Sequence, residues 1–168
     1  MNSNGVGASG ESGRGDVLAG AFTAINEEAI AFALSCSPEE WSTMVPGEEW
    51  TVGVVLHHIA DGHTSGMAWL QSMARGEAVN DSAGDVDSHN LDHARTHAEA
   101  SIEDTVALLR ENGSRVEAFL RTLTEEELAQ TAPFGPADGR EFAAGSFAEV
   151  LAGHARGHLA HAREALES

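Results

Sequence analysis

The chain carries nine histidines and no tyrosine, and imidazole is the side chain that both ligates divalent metals and titrates near neutrality. Three of them, His154, His158 and His161, stand at i, i+4 and i+7 near the C-terminus, in phase with Phe147, Val150, Leu151 and Ala165. A helix turns about 100° per residue, so these positions share one face and are expected to point into a core. An unpartnered polar group in a core costs about 1–3 kcal/mol, so a series of imidazoles persists there only if something binds them. Two at i, i+4 bring ring nitrogens to a shared point at the roughly 2.0–2.1 Å that zinc-type ions need. A single core histidine hydrogen-bonded to its neighbours would carry no such meaning.

Partners for that pair are expected within Val54-Val55-Leu56-His57-His58-Ile59-Ala60-Asp61-Gly62-His63. His57 falls opposite the apolar arc of Val52, Val55, Ile59, Leu70 and Met73 and is expected in solvent. His58 lies at the edge of that arc and His63 inside it, so periodicity leaves both open. A further row, His89, His93 and His97, has ladder spacing but faces away from Leu91, Ala98, Ile102 and Leu109, which predicts a solvated strip. The one cysteine, Cys36, excludes an intrachain disulfide and any multi-thiolate metal site. It falls in an apolar helical series and is expected to pack as a small hydrophobe.

Helices must position these residues. Leu18, Phe22, Ile25, Ala29, Phe32 and Cys36 recur at helical steps after Asp16, a candidate N-cap, and Ser37-Pro38 ends the series. Thr51 can cap a second helix running to about Arg75, with Gly76 as its stop. After a polar loop from Gly76 to about Asp87, the spacing of Leu91, Ala98, Ile102, Val106, Leu109, Val116, Leu120 and Leu123 predicts one long third helix through Gly113. Ser146 and Glu149 have capping-box spacing for a fourth helix that runs to the C-terminus. No strand-like alternation of useful length appears. The fold class that follows is all-α, a four-helix bundle, with residues 1–15 as a flexible leader and residues 16–168 as one domain.

Charge narrows the function classes. Lys plus Arg number 9 against 27 Asp plus Glu, a formal net charge of -18, which repels phosphate backbones and anionic lipid. Nucleic-acid and membrane partners are therefore not expected. No apolar run resembles a signal-peptide core or approaches the length of a membrane span, so a cytoplasmic location is expected.

Trp50-Thr51, then Leu56-His57-His58-Ile59, a distant Gly139-Arg140, and His154-Ala-Arg-Gly-His158 together resemble the DinB-like superfamily, including its branch similar to the mycothiol-dependent maleylpyruvate isomerase N-terminal domain. The resemblance spans the chain from the first helix to the last. It implies a four-helix bundle, commonly a homodimer, holding zinc or nickel on one histidine of the second helix and an HxxxH pair of the fourth. The second-helix ligand of that pattern precedes Ile or Leu, which selects His58 over His57 and His63, and the pair matches His154 and His158. His161 stands where the family often has Gln, so its role stays open. The implied activity is a thiol-dependent S-transfer or isomerisation of an electrophilic small molecule, with a low-molecular-weight thiol such as mycothiol as cosubstrate. The alternative is a non-catalytic metal-binding or stress-associated helical protein. Asp61, Glu149 and Arg156 lie near the implied ligands in sequence, with no general acid or base among them singled out. Trp41, Trp50 and Trp69 are the expected contributors to a dimer contact.

Overall fold

The computed structural model describes residues 13 to 167. The leader expected over residues 1–15 lies outside them except at its end, where helix α1 (Arg14–Ser35) already begins, capped by Gly13 without a side-chain bond. Asp16 is not the cap; it pairs with Arg121 at 2.9 Å. A short α2 (Pro38–Trp41) with a Ser37–Glu40 capping box leads into a two-residue hairpin, β1 (Met44–Val45) and β2 (Trp50–Thr51). Helix α3 (Val52–Ala74) follows, with the Thr51 hydroxyl accepting from the Val54 N–H as expected and Gly76 at φ 71° beyond its end.

The expected third helix is two: α4 (Ala83–Thr96), capped by Ser82, and α5 (Ile102–Thr122), capped by Ser101. Leu91 is 70% exposed. Because the chain turns between them, the phase of Ile102 and Leu109 does not carry back onto α4. A short α6 (Glu125–Ala129) precedes a second hairpin, β3 (Thr131–Phe134) and β4 (Arg140–Ala143), antiparallel with Thr131 opposite Ala143. Both hairpins correct the reading without strands; at two and four residues each they are too short to show a period. The last helix, α7 (Ala144–Glu167), grows directly out of β4. The capping box expected from Ser146 and Glu149 is absent, and Glu149 pairs with Arg14 at 3.3 Å.

The four long helices make the bundle. Both α1 and α3 pack on α5 and α7 and hardly touch each other, so consecutive helices α1 and α3 stand diagonally across it. Among the described helices α1 is long and apolar enough to cross a bilayer, which corrects the sequence reading, but its apolar side is taken by the core through Phe22, Ile25 and Ile30. Helix α3 is buried on almost every side from Val52 to Ala60.

A polar strut ties the bundle together at mid-height. The Asn26 amide donates to the Leu109 carbonyl at 3.2 Å and its Oδ1 meets His63 Nε2 at 2.9 Å. Asn112 donates to the Ala60 carbonyl at 2.8 Å. Cys36 packs against the core with its thiol on the Phe32 carbonyl, and burial first, Glu40 second, raises its pKa. The thiol therefore stays protonated and serves packing, as expected.

Candidate metal centre

His58 from α3 and His154 and His158 from α7 come together, one ring nitrogen of each lying within 4.8 Å of the other two. Their ring centroids are 4.5 to 5.3 Å apart. His154 Nε2 and His158 Nε2 face each other at 3.1 Å, close to the roughly 3.3 Å that separates two ligands bound at 2.0–2.1 Å in tetrahedral geometry. Gly62, one turn after His58, leaves room for the His154 ring, since a Cβ there would sit 3.6 Å from its Cε1.

Glu48 holds His158 in place. Its Oε1 accepts from His158 Nδ1 at 2.9 Å and from His161 Nδ1 at 2.7 Å. A carboxylate on one ring nitrogen fixes the tautomer, orients the ring and leaves the other nitrogen free for an ion. Glu48 sits at the tip of the β1–β2 hairpin, between Gly47 at φ 83° and Glu49 at φ 58°. The second of these is a left-handed conformation uncommon outside Gly, Asn and Asp. The same hairpin brings Trp50 edge-on to His58, with ring centroids 5.0 Å apart. Sequence reasoning missed Glu48: the Pro46-Gly47 dipeptide signals a turn, but nothing local ties that turn to His158 and His161, 110 and 113 residues away.

The electrostatics favour neutral imidazoles. Burial, then the neighbouring His154 and His158, pushes His58 down to about 3. His154 is open on its cavity side, yet the protein packed around it, and then His158, hold it at about 4 against the opposing charge of Glu48. Neutral imidazole is the form that ligates metal. The buried Nδ1 of His58 has no hydrogen-bond partner, so the protein does not saturate this ring by itself. Donor type, spacing and protonation all fit a divalent ion.

The other histidines depart from expectation. His63 is buried but turned to Asn26 and edge-on to Phe22, so it does not join the cluster. His161 is 56% exposed and reaches the site only through Glu48, whose hydrogen bond raises its pKa. His57, expected in solvent, is buried because α4 covers that side of α3. His93, expected in a solvated strip, is buried against His57 with Nε2 to Nδ1 at 2.8 Å.

The cluster stands at one end of a cavity of about 410 Å³ between α3, α4, α7 and the β3–β4 hairpin. Trp69, Phe134 and Phe147 form an aromatic wall, with Trp69 and Phe134 edge-to-face at 5.4 Å. Asp61 lines the cavity and accepts from His89 at 2.8 Å. Asp81 and Asp85 line it too, while no arginine does. Trp69 gives its indole N–H to Asp81, and Trp41, buried in the core, gives its own to the Ala100 carbonyl. With Trp50 on His58, each of the three tryptophans has a partner within the chain.

A helical bundle with an imidazole triad at one end of a cavity defines the class. Residues 21–162 match the model of the DinB superfamily, and the chain belongs to that superfamily. Among solved structures it is similar to one described as "YfiT from Bacillus subtilis is a probable metal-dependent hydrolase with an unusual four-helix bundle topology". The two share 20% identity over 98% of this chain and 91% of that one, with a TM-score of 0.72. No curated protein matches.

Proposed function

We propose that this chain is a metal-dependent enzyme in which His58, His154 and His158 hold a divalent ion, zinc or nickel, beside a cavity for an electrophilic small molecule. The observation that carries this reading is the convergence of three imidazoles at a cavity that two of them, His58 and His154, also line. Three protein ligands leave a position open, as catalytic sites do and structural ones do not. An ion there supplies Lewis acidity, which lowers the pKa of a coordinated water to near 7 and deprotonates a coordinated thiol. Glu48 orients His158 and keeps its outer nitrogen protonated. Trp69, Phe134 and Phe147 exclude water and receive the apolar body of the substrate. The Asp61–His89 pair is the group placed to take up or return a proton at the cavity wall.

The nucleophile we favour is a low-molecular-weight thiol such as mycothiol, making the reaction an S-transfer or thiol-assisted isomerisation. The acidic, arginine-free lining restricts both thiol and substrate to molecules without negative charge beyond the sulfur. Water as the nucleophile, and hence hydrolysis, is the second reading, favoured by the description of YfiT. A cytoplasmic homodimer without nucleic-acid or membrane partners belongs to the same proposal, with the acidic charge arguing against the anionic partners.

Cobalt-substituted, untagged protein tests it. A neutral thiol is expected to change the visible spectrum in wild type, and the part of that change owed to cobalt on His58, His154 and His158 is expected to be missing from His58→Ala, which loses the metal held there. If no thiol alters the spectrum while water-dependent cleavage of neutral esters or amides proceeds, the thiol reading fails and hydrolysis stands. If His58→Ala retains the metal at full stoichiometry, the centre is misassigned.

A further inference from the structure

Helix α4 is anchored in an unusual way for a helix of 14 residues: the one side chain it buries is His93. Leu91 points outward and Val86 is only half-buried, so no apolar stripe binds α4 to the bundle as helices are normally bound. His93 instead meets imidazoles. Its Nε2 lies 2.8 Å from His57 Nδ1, and His97, at the C-terminal end of α4, stacks on His57 with centroids 4.1 Å apart and 19° between the ring planes. One nitrogen from each of His57, His93 and His97 lies within 4.8 Å of the other two. The buried Nδ1 of His93 has no partner, so this ring is not a core histidine satisfied by its surroundings.

We propose that His57, His93 and His97 form a second divalent-metal site, taking a zinc-type borderline ion, and that its role is to fasten α4 onto α3. Imidazole triads suit zinc, copper and nickel, and His93 and His97 are one helical turn apart on one helix while His57 comes from another. Such an ion joins two elements that apolar burial leaves weakly joined. The consequence reaches the cavity, because Asp85, Val86, His89 and Asn90 of α4 form one of its walls. Metal at this second position therefore sets the shape of the substrate cavity without touching substrate. The site shares no ligand with the one formed by His58, His154 and His158 but adjoins it, since His57 and His58 are neighbours in α3 and the His58 and His93 rings meet edge-on with centroids 5.6 Å apart.

Zinc stoichiometry by equilibrium dialysis on untagged full-length protein tests the proposal. Wild type is expected to bind two equivalents per chain, the double change His58→Ala and His154→Ala one, and His97→Ala one. If the first centre holds no zinc, wild type binds one equivalent, kept in the double variant and lost in His97→Ala, and the second site still stands. In the double variant, zinc is expected to shift the ring NMR signals of His57, His93 and His97 and to slow amide exchange in α4, a readout that needs no substitution at the new site. The proposal is overturned if His97→Ala and His93→Ala bind as much zinc as wild type, or if those ring signals stay put as zinc is added.

Discussion

At the scale of single residues the protein sets several imidazoles against their own solvation. Unfolded, each would protonate below about pH 6.5. Folded, His58 does so only near about 3 and His63 near about 4, in both cases through burial first, then neighbouring histidines. Between those values the unfolded chain binds more protons than the folded one, so stability is full above about pH 6.5 and falls as the pH drops. Urea midpoints of metal-free protein should therefore decrease from about pH 7.5 to about pH 5, by about 1–2 kcal/mol for each of these two rings. A flat profile over that interval would show that the rings are not held neutral. Glu48 makes a different prediction. Because it holds His158 by one nitrogen, Glu48→Gln should weaken metal binding about 10- to 100-fold while leaving the ligands in place. A competition titration against a chelator reads this directly, and unchanged affinity would remove Glu48 from the site. The residues' spacing had already pointed to His154 and His158, whereas His58 needed the resemblance. Glu48 was illegible because only tertiary packing brings its hairpin to α7.

At the scale of elements, what the sequence displayed and what it hid divide along one physical line. The apolar series of α1 and the cap and stop of α3 were readable, since a continuous helix repeats its own phase. Helix α4 was not, because its single buried side chain is a polar His93 and its apolar Leu91 faces water. A wheel drawn from hydrophobicity therefore turned this helix around, and with α4 out of place nothing remained to cover His57, which the α3 wheel had set opposite its apolar arc. Gly113 is the other element-level surprise. It looked like a tolerated defect in a helix, but a Cβ there would strike the Asn26 amide, which bridges the Leu109 carbonyl and His63. Helix propensity alone predicts that Gly113→Ala stabilises by about 1 kcal/mol. Displacing a buried, doubly bonded amide outweighs it, so the expected net effect is a loss of about 1–3 kcal/mol in denaturant unfolding. A more stable variant would mean that α1 and α5 can part to admit the methyl group without cost.

At the scale of the whole molecule the charge is the dominant feature. All nine basic residues are arginines, and six of them, including Arg14, Arg121 and Arg163, are already paired with carboxylates. Exposed pairs of this kind contribute little each, but they neutralise the cations locally and leave the acidic excess to set the outer field. Such a field draws in divalent cations and repels anions over a distance fixed by salt, about 30 Å at 0.01 M and about 10 Å at 0.1 M. Association of zinc with the metal-free protein, followed by stopped flow, should therefore slow at least about tenfold between about 0.01 M and about 0.5 M sodium chloride. The same salt should raise the unfolding midpoint of the metal-free chain, because it screens the self-repulsion of 27 acidic side chains. Opposite responses to one variable separate long-range steering from any loosening of the fold, which would lower both. Zinc association that ignores salt would place the ligands beyond the reach of the surface field, and the acidic excess would then serve solubility alone.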